Sequence, residues 1–245
     1  MRALYHFFVE NFPRPIEWAV GGPLCLGWAF CCLALAGYLK QHKELRTGYT
    51  RKTFHFLIFG TAVALQVLGG TRLVCLFGSM TSLVIFYAVW RGSGHPLYEA
   101  MARHTDAPHR SRYVLVPYFA TLMGGVLANV LFGPVAAVGY LVTGIGDAVG
   151  EPFGVRFGRH PYRVWTLDGV RATRTFEGSL AVFVFSTAAV ALAYALVPEL
   201  DFGPRAFFAI PFTGLMATLC EAVSPHGWDN ATLQLIPSGL VLVFG

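Results

Sequence analysis

Charge is scarce in this chain. Only 13% of its 245 residues are Asp, Glu, Lys or Arg, where soluble domains carry roughly a quarter. With 55% hydrophobic residues and a mean hydropathy of +0.56, that scarcity excludes a soluble globular domain and points to a multi-pass membrane protein. Cysteine is sparse too. Cys25, Cys31, Cys32, Cys75 and Cys220 all lie in apolar stretches, and no two make a CxxC pair. This excludes a disulfide framework or a zinc site and leaves small buried hydrophobes. Both common phosphate-loop signatures, GxxxxGK[ST] and GxGxxG, are absent. The first sixteen residues lack a basic start, an apolar run and a small-residue cleavage site, so no cleavable signal peptide is expected. Phe7, Phe8, Phe12 and Trp18 instead suit headgroup level, and residues 1–16 read as an interfacial segment.

Apolar segments long enough to cross about 30 Å of hydrocarbon are what the chain has in abundance. They fall near 17–39, 53–70, 73–90, 113–132, 134–150, 179–197 and 205–222, and a shorter one begins near 232. The expected fold is all-α: a multi-pass transmembrane helical bundle of seven to eight spans, forming one domain over 17–245. Gly133-Pro134 is the natural turn between two of the spans.

The net charge of +5 raises the question of nucleic acid. The basic residues, however, form no single patch. Lys40, Lys43, Arg46, Arg51 and Lys52 face only Glu44 in the first basic loop. Arg91, Arg103, Arg110 and Arg112 outnumber Glu99 and Asp106 in the second. Arg156, Arg159, Arg163, Arg171 and Arg174 outnumber Glu151, Asp168 and Glu177 in the third. These loops alternate with short, nearly neutral connections. Membrane topology, not nucleic acid, explains the excess: the basic loops belong in the cytoplasm and the N-terminus outside.

Four polar clusters interrupt the apolar chain, and this topology sends all four to the cytoplasmic face. The first is Gly144-Ile145-Gly146-Asp147-Ala148-Val149-Gly150-Glu151. An acid at the end of a membrane-length segment is expensive and therefore functional by default. Asp147 and Glu151 are four apart, on one helix face, and two hard oxygen ligands there suit Mg²⁺. The alternative is an acid paired with an arginine such as Arg156. Gly146, Gly150, Gly154 and Gly158 recur every four residues. That stripe allows either close helix packing or approach of the backbone to a phosphate.

The second cluster, Arg174-Thr175-Phe176-Glu177-Gly178-Ser179, opens the sixth span. Arg174 suits bidentate phosphate binding, while Thr175 is an ordinary helix cap. In the third, Arg51 and Lys52 are interfacial cations, with His55 one turn further in on the face of Arg51. They suit either anchoring or phosphate contact, and His55 a proton shuttle. The fourth, Glu221 with Asp229-Asn230, makes an acidic loop where the others are basic. It offers a second metal position or a base that activates an acceptor.

Taken in order, an RKxxH motif (Arg51–His55), a GDxxxxxxG motif (Gly146–Gly154), a KTxEGS-like cluster (Arg174–Ser179) and a late E…DN (Glu221, Asp229, Asn230) resemble the CTP-dependent lipid kinase family, which includes dolichol, phytol and yeast-type diacylglycerol kinases. The resemblance runs from Arg51 to Asn230. It departs at Arg174, where the family has Lys, at Gly150-Glu151, where an alanine/serine pair is usual, and at Arg159 in place of Lys. The family is similar in turn to the phosphatidate cytidylyltransferases, which also use CTP.

The resemblance implies a catalytic membrane domain that moves the γ-phosphate of CTP to the hydroxyl of a lipid alcohol at the cytoplasmic face. Mg²⁺ would be held by Asp147 and Glu151. Phosphates would be bound by Arg51, Lys52, His55, Gly146, Gly150, Gly154, Arg174, Thr175 and Asn230. Catalytic carboxylates would come from Asp147, Glu177, Glu221 and Asp229. A transporter using an intramembrane acid is the non-enzymatic alternative. It would carry inverted repeats, and none is visible.

Overall fold

The computed structural model describes residues 2–164, 172–225 and 227–244. Asp168 and Arg171, counted above in the third basic loop, lie outside them. Among the described residues, six helical stretches are long and apolar enough to cross a membrane: Glu17–His42, Thr47–Gly69, Thr71–Arg91, Arg112–Phe157, Phe176–Leu196 and Ala206–Val223. The chain has the build of an integral membrane protein of helical type. It divides into two compact units, Met1–Val114 and Leu115–Gly245.

The first unit starts with α1 (Arg2–Asn11). Its Tyr5 and Phe8 are exposed, as is Phe12 just beyond it, while Phe7 is buried. A π-helical turn, Glu17–Gly21, leads into α2 (Gly22–His42), which has a proline in its first turn. There the missing N–H of proline leaves nothing unsatisfied. Helices α3 (Thr47–Gly69) and α4 (Thr71–Arg91) follow. They are joined through Gly70, whose φ of +75° is open to glycine at little cost. Packing of α2 on α4 buries Ala29, Leu33, Ala36, Leu76, Phe77 and Ala88 almost completely.

A short helix, α5 (Pro96–Glu99), is stitched to the start of α3. Thr47 Oγ1 donates to the Glu99 carbonyl at 3.3 Å and Thr50 Oγ1 to the Ala100 carbonyl at 2.8 Å. Arg110 locks the same loop. Its Nη2 lies 2.6 Å from Glu99 Oε2 and donates to the Ala102 carbonyl at 2.7 Å, and its Nε donates to the Arg103 carbonyl at 3.1 Å.

The second unit contains the surprise in span count. Two expected spans, 113–132 and 134–150, lie in one helical run. It consists of α6 (Arg112–Phe132), a 3₁₀ turn at Gly133–Val135, α7 (Ala136–Leu141), a π-helical stretch at Val142–Asp147 and α8 (Ala148–Phe157). The run is not straight. Tyr140 Oη reaches the Gly125 carbonyl at 3.4 Å and also bonds Asn129, whereas fifteen residues of straight helix would span about 22 Å. The chain folds back at Gly133, where φ is +55°, so the turn expected at Gly133-Pro134 is present.

Next comes a feature that an all-α expectation omits. Strands β1 (Pro161–Val164) and β2 (Ala172–Thr175) pair antiparallel, with Tyr162 opposite Arg174. Helices α9 (Phe176–Leu196), α10 (Ala206–Val223) and α11 (Asp229–Phe244) complete the unit. The sixteen residues of α11 rise about 24 Å, short of a full hydrocarbon crossing. Its backbone touches α7 directly: a Cβ added at Gly139 would stand 2.1 Å from the Gln234 carbonyl oxygen. Large apolar side chains such as Phe207, Phe208, Leu180 and Val223 remain exposed, as lipid-facing positions do.

Candidate active site

Asp147 sits where two helix types meet, at the end of the π-helical stretch and just ahead of α8. Single π turns are rare and frequent at functional sites. Asp147 is buried, with 4% of its surface exposed. Two other acids join it from distant parts of the chain. Glu221 comes from the last turn of α10 and Asp229 from the start of α11. One carboxylate oxygen from each of Asp147, Glu221 and Asp229 lies within 4.8 Å of the others.

Arg174, at the end of β2, reaches into this group. Its Nε is 2.7 Å from Glu221 Oε1 and its Nη2 is 2.8 Å from Asp229 Oδ2. Burial opposes its charge. Glu221, then Asp229 and Asp147, outweigh that and hold its pKa above the ordinary arginine value. The Arg174 side chain keeps 17% of its surface exposed, and Glu221 keeps 8%. One guanidinium thus faces three carboxylates in a poorly solvated place. The residual negative charge and the all-oxygen donor set fit a hard divalent cation such as Mg²⁺.

The hairpin presents Tyr162 on the same side, opposite Arg174. Its hydroxyl shares a hydrogen bond with Ser179 at 2.7 Å. Burial raises its pKa, with the Ser179 bond partly offsetting that. Nothing in the motif pattern singled Tyr162 out. The four-residue strand at 161–164 that carries it is too short to give a sequence signal of its own.

The other expected residues fall as follows. Glu151 stands one turn beyond Asp147 in α8, half-buried, and does not join the three acids. Glu177, in the first turn of α9, turns away to the chain entering β1. It accepts from the N–H groups of Arg159 and His160 at 3.0 and 3.3 Å and meets His160 Nδ1 at 2.6 Å. Thr175 caps α9, its Oγ1 accepting from Gly178 N–H at 3.1 Å.

The glycine stripe faces α9. An added Cβ would stand 2.0 Å from Ser186 Oγ at Gly146, 2.6 Å from Val182 Cγ2 at Gly150 and 2.9 Å from Thr175 Oγ1 at Gly154. Close helix packing is therefore what these three glycines do on that side. Asn230 ties α11 to α6, its Nδ2 donating to Thr121 Oγ1 at 2.7 Å and to the Pro117 carbonyl at 3.3 Å. Arg51, Lys52 and His55 belong to the first unit, in the first turns of α3. Lys52 is buried there, and the His55 ring lies 4.6 Å from that of Phe59.

The chain is similar to a dolichol kinase. Over 215 residues it is 26% identical to dolichol kinase sec59 of Schizosaccharomyces pombe, a match covering 82% of this chain and 40% of that protein. The chain thus spans about two fifths of that relative's length. No family model matches the chain, and no solved structure does. The apolar helices give the chain the build of an integral membrane protein, and the similarity is to a protein named as a dolichol kinase.

Proposed function

We propose that this protein is a membrane lipid kinase that transfers the γ-phosphate of CTP to the hydroxyl of a lipid alcohol, an isoprenoid alcohol or a diacylglycerol. The observation that carries the reading is the gathering of Asp147, Glu221 and Asp229 around Arg174 at helix ends, in a chain similar to a dolichol kinase over most of its length. Phosphoryl transfer asks little covalent chemistry of the protein. It asks for positioning and for positive charge against the phosphates.

In this reading Asp147, Glu221 and Asp229 would hold Mg²⁺, which when bound would offset the negative charge of the phosphates. Arg174 supplies the side-chain cation. Asp229, the least buried of the three acids, would use its other carboxylate oxygen to accept the proton of the attacking hydroxyl. Glu177 shapes the site by fixing the entry into β1. The lipid tail lies among the exposed apolar side chains of the helices. The basic loops and the site face the cytoplasm, where the nucleotide is, and the N-terminus lies outside.

The test is transfer of label. Membranes carrying the protein are incubated with γ-labelled CTP and candidate alcohols, and separately with α-labelled CTP. A lipid kinase labels lipid only from the γ position. Label from the α position would indicate a cytidylyltransferase. Retention of γ transfer by Asp147→Asn would remove the metal assignment.

A further inference from the structure

The resemblance assigns Arg174 to phosphate, yet in the structure its guanidinium is engaged elsewhere. Nε and Nη2 are held by Glu221 and Asp229 at 2.7 and 2.8 Å. Those are two of the three carboxylates whose oxygens converge within 4.8 Å. We propose that Arg174 is a built-in counter-cation for this site: a divalent ion and the guanidinium compete for the same carboxylates, and entry of the ion frees the arginine for the phosphate. This rests on the reading of Asp147, Glu221 and Asp229 as the metal ligands.

Three observations support it. First, the space is of ionic size. In an octahedral Mg²⁺ site with ligands at about 2.1 Å, cis ligands stand about 3 Å apart and trans ligands about 4.2 Å apart, so three oxygens within 4.8 Å of one another are near enough to draw in around one ion. Second, the guanidinium cannot stay comfortably beside a divalent ion. Both are cations, the site is mostly buried, and like charges repel strongly where solvent screening is weak. Third, the arginine keeps donors in reserve. Its Nη1 is buried and makes no hydrogen bond among the described residues. Of the five donors of a guanidinium, the two bonds given above use only part. Once released, the planar fork matches a phosphate bidentately.

The geometry also says why a mobile role suits this residue. Arg174 is on a two-stranded hairpin, and its ion pairs link that hairpin to α10 and α11. A hairpin of two short strands is marginal by itself, so exchanging these contacts changes how firmly it is held.

The experiment titrates the purified full-length protein with Mn²⁺ and reads bound ion by electron paramagnetic resonance, without nucleotide. Arg174→Gln should bind Mn²⁺ about tenfold more tightly than the wild type, because a neighbouring like charge is removed. The same variant should bind the Mn²⁺–pyrophosphate complex about tenfold more weakly, because a charge-assisted bidentate contact is lost. Glu221→Gln should weaken Mn²⁺ binding in both backgrounds. If Arg174→Gln binds Mn²⁺ no better while Glu221→Gln still weakens it, the metal site stands and the counter-cation inference is overturned. If Glu221→Gln and Asp147→Asn both leave Mn²⁺ binding unchanged, the metal reading itself falls.

A measurement on the unaltered protein guards against a variant that fails to fold. Mn²⁺ should speed hydrogen exchange at the amides of 162–164 and 172–175, as Arg174 lets go. Unchanged or slower exchange there overturns the inference.

Discussion

Arg174 and Asp229 lie 55 residues apart in the chain, and 2.8 Å separates Arg174 Nη2 from Asp229 Oδ2. With the 2.7 Å contact to Glu221, this makes one arginine the tie between the hairpin and the ends of α10 and α11. Removing one partner of a buried ion pair leaves the other charge uncompensated. Arg174→Gln leaves the acids around it uncompensated and should therefore lower stability by about 3 kcal/mol, seen as an earlier thermal transition of the detergent-solubilised protein. An unchanged transition would mean that the pair contributes nothing to the fold.

Activity should separate the acids. Asp147→Asn and Asp229→Asn should each reduce γ-phosphate transfer by about a hundredfold or more, the scale on which single charge-stabilising groups act. Glu151→Gln, at a position outside the converging trio, should reduce it by less than about tenfold. Equal losses at Glu151 and Asp147 would return Glu151 to the metal site.

The glycine stripe can be tested as packing. Gly146→Ala would drive a Cβ to within 2.0 Å of Ser186 Oγ and 3.2 Å of its Cα. Overpacking of this kind costs about 1–3 kcal/mol. The expected result is a lower melting temperature. A variant as stable as the wild type, with weakened nucleotide binding, would instead favour a phosphate role for the glycine.

Thr175 combines a motif position with a structural one. Its Oγ1 accepts from Gly178 N–H, so Thr175→Ala should cost about 1 kcal/mol while Thr175→Ser should cost little. If the serine variant is as damaged as the alanine variant, the cap is not what the residue contributes.

In the first unit, Glu99 gives a pH dependence. Burial alone would raise its pKa, but hydrogen bonds from Arg110 and the Gly94 N–H, with the charge of Arg110, bring it below the ordinary 4.5. A carboxyl with a depressed folded pKa stabilises the fold above its unfolded pKa and loses that contribution as the pH falls through the folded value. Its contribution should be complete above about pH 5 and fade below about pH 4.5. Glu99→Gln should flatten this part of the melting-temperature profile. Parallel acid limbs for the two proteins would rule the carboxylate out as the cause.

Much of this molecule was legible in the residues, and the reason is the solvent. In lipid every backbone polar group must be satisfied within its own segment, so a long apolar run has little choice but helix. The expected segments at 17–39, 73–90, 179–197 and 205–222 accordingly match Glu17–His42, Thr71–Arg91, Phe176–Leu196 and Ala206–Val223 within a few residues. The turn at Gly133 was legible for a related reason, since glycine beside proline breaks a helix wherever it stands. The hairpin was not. Its strands are four residues each, too short for alternation to stand out.

What the sequence alone determined is thus the membrane character, the helical segments and the identity of the acids and bases that interrupt them. Each is a local property, settled by the cost of putting charge or bare backbone into hydrocarbon. Only the tertiary structure decided which of those groups meet. Asp147 and Glu151 share a helix face by spacing, yet the partners of Asp147 are Glu221 and Asp229. Arg174 has its charge satisfied by those same two acids. Pairing of this kind depends on which helix ends the packing of α7, α9, α10 and α11 brings together. Local spacing carries no information about that, because a buried charge takes whatever opposite charge the fold places within reach.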